Sequence, residues 1–483
     1  MTPTDEQLHG LDLYKTKKPI MFRSLAGTGK TTMARLIDKQ NRSRRNILYL
    51  TFAKRNCDEA REPDENGDAK FSSTTEIYTI NGAGHRVWGK TARGGLVVNT
   101  KKTFNILGAV VESLSTKGER NEAWEDSSLI INSVGRAKHL GYIPDGVDSR
   151  YPRLIEPDAF FSGLEEAPSE FAQELIDEVL RRSIEAAFEG GIDYDDQIYM
   201  PTLFGGAFPN FDDIIGDEWQ DFSPINHEML SRYIGKGARP IAIGDPWQSI
   251  YAFRGAVQEG MAKTKERYKM TEADLSVSFR CPSEIVKAVH WRVPNLKWSR
   301  EGGLARKIDL LDLDGIDDDA CIICRNNAPL FSLALRLLRS GRSVSVAGTD
   351  IGARTIKIMN KLGPETMRQD QVLEAIEYWL GQKLAVQSTT ASDMADCMRV
   401  FASFGKTLGQ ATGYAEYLFK QMGAITLTTG HKAKGLEWEK VYHLDPFLIR
   451  TDKEEQEKNL KYVITTRSKD KLYEIESKDI RCH

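Results

Sequence analysis

Lys18-Pro-Ile-Met-Phe-Arg-Ser-Leu-Ala-Gly-Thr-Gly-Lys-Thr-Thr-Met-Ala-Arg35 is the stretch that decides the fold. A short apolar strand, Ile20 to Phe22, runs into a small glycine-bearing loop and then into a helix. Ala26-Gly-Thr-Gly-Lys-Thr31 has the form of a phosphate-binding loop. Glycines let main-chain N–H groups wrap a phosphate, and the positive end of the following helix points at it. In that chemistry Lys30 reaches the β- and γ-phosphates of ATP and the Thr31 hydroxyl holds Mg²⁺. Ala26, Gly27, Thr28, Gly29 and Thr32 complete the expected nucleotide lining. Ser24 stands where the usual pattern has its first glycine. A plain glycine turn before a helix is the rival reading, and the strand–loop–GKTT–helix context disfavours it.

Outward from this loop the chain alternates strands and helices, the signature of a parallel α/β sheet. Asn46-Ile-Leu-Tyr-Leu-Thr-Phe52 reads as a strand, as do Phe211 to Gly216, Pro240 to Gly244, Ala320 to Cys324, Ser343 to Ala347, Ala424 to Thr428 and Val441 to Leu444. Residues 89–185 and 350–420 read as helical. Two α/β blocks, each interrupted by helical material, predict paired cores with insertions.

Composition bounds the rest. The 483 residues suit roughly three domains of ordinary size. No apolar run approaches the roughly 20 residues needed to span a bilayer. The polar start, MTPTDEQLHG, predicts no signal peptide. Six cysteines over this length do not make a disulfide scaffold, and a cytoplasmic protein is expected. Lys plus Arg is 66 against 69 Asp plus Glu, which argues against a protein that coats nucleic acid by bulk charge. The charge is nevertheless uneven. Leu13 to Cys57 holds twelve Lys or Arg against one acid, Asp38, around the phosphate loop. Glu156 to Glu185 holds nine acids against two arginines, and Leu164, Phe171, Leu175, Val179 and Leu180 predict an amphipathic helix there whose acids face water.

Ile214-Ile-Gly-Asp217-Glu218-Trp-Gln-Asp221 is an apolar strand that ends in acids. Asp217 suits Mg²⁺ coordination, and Glu218 suits a general base that polarises the attacking water. Cys321-Ile-Ile-Cys324 has a metal-like spacing. Zinc needs two further ligands that the sequence does not offer nearby, so the pair is read as strand core.

DEWQD, followed by Ile243-Gly-Asp245-Pro-Trp-Gln248-Ser-Ile-Tyr251-Ala-Phe253-Arg254-Gly-Ala256, resembles the UvrD/Rep-like superfamily 1 helicases. The resemblance continues in the family's order. Asp5-Glu-Gln7 is similar to its glutamine motif, Thr51 to Glu59 to its TFTNKAAxE segment and Asp193-Tyr-Asp-Asp196 to DFDDL. Leu275 to Arg280 is similar to LxxNYR, Thr429 to Glu437 to TxHxAKGLE and Glu457 to Ser468 to ExxLxYVxxTRA. Thr79-Ile-Asn81 has asparagine where the family has histidine. The GDPxQxIYxFRGA and SFR variants look closer to the F-box DNA helicase branch and to phage-encoded relatives.

The resemblance implies an α/β protein of two RecA-like P-loop NTPase cores with parallel sheets, each carrying a mainly helical insertion. Residues 1–88 and 186–274 form the first, ATP-binding core, and 89–185 its insertion. Residues 275–349 and 421–483 form the second core, and 350–420 a reduced insertion. It implies an ATP-dependent DNA helicase that uses ATP and Mg²⁺ to move 3′ to 5′ along single-stranded DNA and unwind tailed duplexes by an inchworm cycle. A translocase that displaces proteins without productive unwinding is the alternative. It further implies Arg280 and Arg467 as arginine fingers and Gln248 as γ-phosphate sensor. Gln7 would read adenine, Phe279 would stack on it and Glu437 would bind ribose. Thr32 stands where the family often has arginine. Phe52, Tyr251 and Phe253, with Trp247 beside them, match positions where aromatics stack between bases. Lys54, Thr79, Asn81 and His431 would line the track. Core packing is the plainer fate for each aromatic. No membrane is expected, and a monomer is expected to suffice.

Overall fold

The computed structural model describes residues 3–41, 45–64, 66–164, 166–250, 260–310, 312–347, 349–385, 391–452 and 454–480. Contact density divides the chain into two units: Met1–Ser24 with Gly29–Leu275, and Leu25–Thr28 with Ser276–His483.

The first unit is built on a six-stranded sheet. Its strands run across the sheet in the order Thr75–Thr79, Ile47–Thr51, Asp213–Asp217, Arg239–Gly244, Ile20–Ser24 and Thr271–Leu275. Every pairing is parallel. Ile47–Thr51 and Asp213–Asp217 are wholly buried, as expected of parallel strands covered on both faces. The order is not the sequence order, so Tyr49 becomes the register partner of Ile215, 166 positions later. One side of the sheet is packed by Phe22, Met33, Ile37, Tyr49 and Ile243.

Between Thr79 and Asp213 lie the helices Ile80–Trp88, Lys102–Ser113, Lys117–Glu125, Ser127–Leu140, Pro157–Ser162, Glu170–Phe188 and Asp196–Phe204. A short parallel pair, Val97–Val98 with Gly191–Ile192, ties the two ends of this helical region together. The acidic helix is Glu170–Phe188. It buries Leu175, Val179 and Leu180 as its periodicity predicts. Leu164 is not part of it: Ser169 caps the helix, accepting from Ala172 N at 3.1 Å.

The second unit has its own six-stranded sheet, ordered Leu304–Lys307, Ser468–Ile475, Trp438–Leu444, Cys321–Cys324, Ile425–Thr429 and Val344–Val346, again with parallel pairings throughout. Cys321 and Cys324 are fully buried in its centre, which places the CxxC in the core. Four helices, Thr349–Met359, Gln369–Ala385, Ala391–Phe404 and Leu408–Phe419, join the last two strands of that order. Among the described residues no helix is long and apolar enough to cross a membrane.

Candidate nucleotide site and strand track

The strand Ile20–Ser24 delivers the chain to the loop, and the helix Lys30–Gln40 leaves it. Gly29, the residue before that helix, has φ 85° and ψ 47°, a left-handed conformation that glycine adopts without penalty. Lys30 is largely buried, and its Nζ lies 3.6 Å from Glu218 Oε1.

Gln7 sits in the helix Asp5–Lys15 as half of a capping box: its main-chain N–H donates to Thr4 Oγ1, and its Oε1 accepts from Thr4 N. Those bonds fix its amide. Its Nε2 is buried and has no hydrogen-bond partner among the described residues. It points to the loop: a Cβ built on Gly29 would lie 3.5 Å from it. A buried, orphaned donor beside a phosphate-type loop fits an adenine acceptor. Thr32 borders the same space, with its Cβ 3.4 Å from that built Cβ.

Asp217 closes its strand and is fully enclosed. Burial, then the neighbouring Glu218 charge, pushes its carboxyl up to about 6, with Lys30 opposing. Tyr49 OH donates to Asp217 Oδ2 at 2.9 Å, and Glu218 N donates to Oδ1 at 2.9 Å. Glu218 itself is held at φ 57°, ψ 41°, a left-handed geometry uncommon for a non-glycine residue and frequent at functional sites. Thr31 and Asp217 supply a hydroxyl and a carboxylate. Mg²⁺ favours such a sparse oxygen set, completed by phosphate and water.

From Glu218 a chain of hydrogen bonds runs to the next motif. Gln220 Nε2 donates to Glu218 Oε2 at 2.6 Å. Gln220 Oε1 accepts from Asp245 N at 3.0 Å, and Gln248 Nε2 donates to Asp245 Oδ2 at 2.8 Å. A Cβ on Gly244 would lie 2.5 Å from Gln220 Oε1, so the approach requires glycine there. Gln220, Asp245 and Tyr49 are absent from the sequence-based site. The first two stood inside the quoted motifs, whereas nothing local marks Tyr49.

In the second unit Arg280 Nε donates to Glu437 Oε2 at 2.5 Å, so the expected finger and the expected ribose ligand hold each other. Arg280 also donates to Thr466 O at 3.4 Å. Arg467 is 1% exposed, with Nε on Val463 O at 2.9 Å and Nη1 on Leu436 O at 3.2 Å. Leu25–Thr28 belongs to this unit: Ala26 N donates to Tyr462 OH, and Phe279 N donates to Gly27 O, both at 2.9 Å. A Cβ on Gly27 would meet Arg280 Cβ at 2.6 Å.

The track candidates divide. Thr79 ends its strand and caps the next helix, accepting from Gly82 N at 3.0 Å. Asn81 Nδ2 donates to Tyr194 O at 2.7 Å, and Tyr194 is exposed. Phe52 is half-buried and packs against the first unit's core. Lys54 is exposed at the start of the helix Lys54–Arg61. Trp247 is half-buried, its main-chain N–H on Asp245 Oδ1 at 3.0 Å. His431 lies in the short helix Gly430–Ala433 of the second unit. Tyr251 and Phe253 lie outside the described residues.

Residues 200–269 match the UvrD/REP helicase N-terminal domain, and 424–473 match the UvrD-like helicase C-terminal domain. The chain is 24% identical to ATP-dependent DNA helicase UvrD1 of Mycobacterium tuberculosis over 326 residues, covering 60% of this chain and 40% of that protein. It is 23% identical to ATP-dependent DNA helicase PcrA of Leuconostoc citreum, covering 59% and 39%. It is 24% identical to F-box DNA helicase protein 1 of Schizosaccharomyces pombe, covering 57% and 35%. The match thus spans about two fifths of the length of these curated relatives. The two domain matches, with the motif series running in the family's order from Gln7 to Arg467, show that the chain is similar to the UvrD/Rep-like superfamily 1 helicases.

Proposed function

We propose that the chain is an ATP-dependent DNA helicase that travels along single-stranded DNA, 3′ to 5′, and opens tailed duplexes. The observation that carries this reading is the continuous path Lys30–Glu218–Gln220–Asp245–Gln248, which joins the phosphate-loop lysine to the motif leading into the strand track. ATP supplies the free energy when bound, and Mg²⁺ neutralises its phosphates. Lys30 binds phosphate oxygens. Thr31 and Asp217 hold the metal. Glu218 takes a proton from the attacking water. Gln248 reports the state of the site through Asp245. Arg280 and Arg467 offset the charge that develops on the transferred phosphoryl group. Gln7, Phe279 and Glu437 bind base and ribose, and Ala26, Gly27, Thr28, Gly29 and Thr32 line the nucleotide. Phe52, Trp247, Tyr251 and Phe253 stack on bases, and Lys54, Thr79, Asn81 and His431 hold the backbone. The protein works as a monomer in the cytoplasm.

The test is ATPase activity with and without single-stranded DNA, then unwinding of 3′-tailed against 5′-tailed duplexes. Strong stimulation, lost in Lys30→Ala, and opening of the 3′-tailed substrate are expected. Absent stimulation sinks the reading. Stimulation and protein displacement without unwinding would instead establish the translocase.

A further inference from the structure

Tyr49 is 1% exposed and lies on the second strand of the first sheet, a strand otherwise made of aliphatic residues and a terminal threonine. A buried phenol must place its hydroxyl, or its burial is unfavourable. This one donates to Asp217 Oδ2 at 2.9 Å. The ring is held by stacking on Phe71, with centroids 4.9 Å apart and planes at 26°. Tyr49 therefore touches the carboxylate that would hold the cation, and touches it from the side of the core.

Tyr49 gives its proton to the carboxylate, which fixes Asp217 Oδ2, while Oδ1 is fixed by Glu218 N. Outer partners of this kind orient the ligands of a metal and change its affinity.

We propose that Tyr49 is a positioning residue for the divalent cation, setting the orientation of Asp217 through its phenolic hydroxyl. This rests on the nucleotide reading above.

The test uses the full chain and its Tyr49→Phe variant. Mn²⁺ binding in the presence of a non-hydrolysable ATP analogue is followed by electron paramagnetic resonance. A fluorescent nucleotide measures metal-free binding in EDTA. The variant should bind Mn²⁺ about tenfold more weakly. Its metal-free nucleotide affinity should stay within about twofold of wild type, which also reports an intact loop. The Mg²⁺ concentration for half-maximal ATPase should rise by a similar factor, with a smaller fall in kcat at saturating Mg²⁺. Phe71→Leu, which keeps the phenol and loosens its stack, should lie between the two. Equal Mn²⁺ affinity in wild type and Tyr49→Phe overturns the role of Tyr49 and leaves the nucleotide site standing. A parallel loss of metal-free binding also overturns it, because the defect is then one of folding. A wild-type chain that takes up no Mn²⁺ with the analogue overturns the nucleotide reading itself.

Discussion

Gln220 Oε1 accepts the main-chain N–H of Asp245 at 3.0 Å, and this bond joins the strand-end acids to the motif that leads into the track. Gln220 has its amide nitrogen on Glu218 and its oxygen on Asp245, so no other orientation satisfies both. Leucine has a similar volume and neither polar group. Gln220→Leu should leave basal ATPase within about threefold and reduce the stimulation by single-stranded DNA by about tenfold, since each buried bond lost is worth roughly 1–3 kcal/mol. Measuring both rates on one preparation checks this. Unchanged stimulation would show that the path carries no signal.

Arg280 and Arg467 were expected to be equivalent fingers, and their surroundings differ. Arg467 is enclosed and bound to the carbonyls of Val463 and Leu436. Arg280 is more accessible and holds a half-exposed carboxylate. Arg467→Ala should cost about 2–4 kcal/mol of stability, because buried acceptors lose their donor. Arg280→Ala should cost no more than about 1 kcal/mol while still lowering kcat, as expected of an accessible ion pair. Urea titrations beside ATPase assays separate the two. Equal destabilisation would remove the distinction.

The motifs were legible because each places its chemistry on a few neighbouring residues. Asp217, Glu218 and Gln248 could be named as candidates without knowledge of the fold. Tyr49 was not legible, because its meaning depends on a strand order that sets residues 47–51 beside 213–217. The Arg280–Glu437 pair is hidden for the same reason, its members lying 157 positions apart. The amphipathic helix was legible from its period, but its start depends on the Ser169 cap. Leu164 fitted the period while lying outside the helix.

The helical region of the first unit encloses a charge network that the DYDD segment only half suggested. Lys138 Nζ lies 2.6 Å from Asp193 Oδ2 and 2.8 Å from Asp196 Oδ1, and Lys102 Nζ lies 2.6 Å from Asp196 Oδ2. Burial alone would lower Lys138, but the two aspartates raise it above the usual lysine range. Lys138→Met should cost about 3–5 kcal/mol, since it leaves buried carboxylates short of a cation. Adding Asp193→Asn should recover part of that loss. A double-mutant cycle in urea checks this, and strict additivity would mean that the pair is uncoupled.

Two buried histidines make stability depend on acid. Burial lowers His227 to about 4 and His443 to about 3. Both folded values lie below the unfolded value of about 6.5, so the unfolded chain takes up these protons first. Their contribution is fully present above about pH 6.5 and is lost as pH falls toward the folded values. Each adds a slope of up to about 1.4 kcal/mol per pH unit in that window. His443→Leu should flatten the stability curve between about pH 6 and pH 4 by one such slope. Urea unfolding at a series of pH values reads it. An unchanged slope would mean that His443 is protonated in the folded chain.

The Asn81–Tyr194 contact sharpens the strand track. Asn81 stands where histidine was expected, and its amide holds the Tyr194 carbonyl at 2.7 Å. Tyr194 is 56% exposed, which leaves it open to a stacking base. Stacking on a base is worth about 1–3 kcal/mol, so Tyr194→Ala should weaken binding of a labelled oligo-dT by roughly 5- to 100-fold. Tyr194→Phe should bind nearly as wild type, because stacking needs the ring and not the hydroxyl. Asn81→Ala, which frees the carbonyl and the loop carrying the ring, should fall between them. Nucleotide affinity measured without DNA should be unchanged in all three. Fluorescence anisotropy at fixed salt makes the comparison, since the backbone component of affinity varies with ionic strength. If Tyr194→Ala binds DNA as tightly as wild type, the strand does not pass over this ring, and Asn81 serves only to fasten the loop.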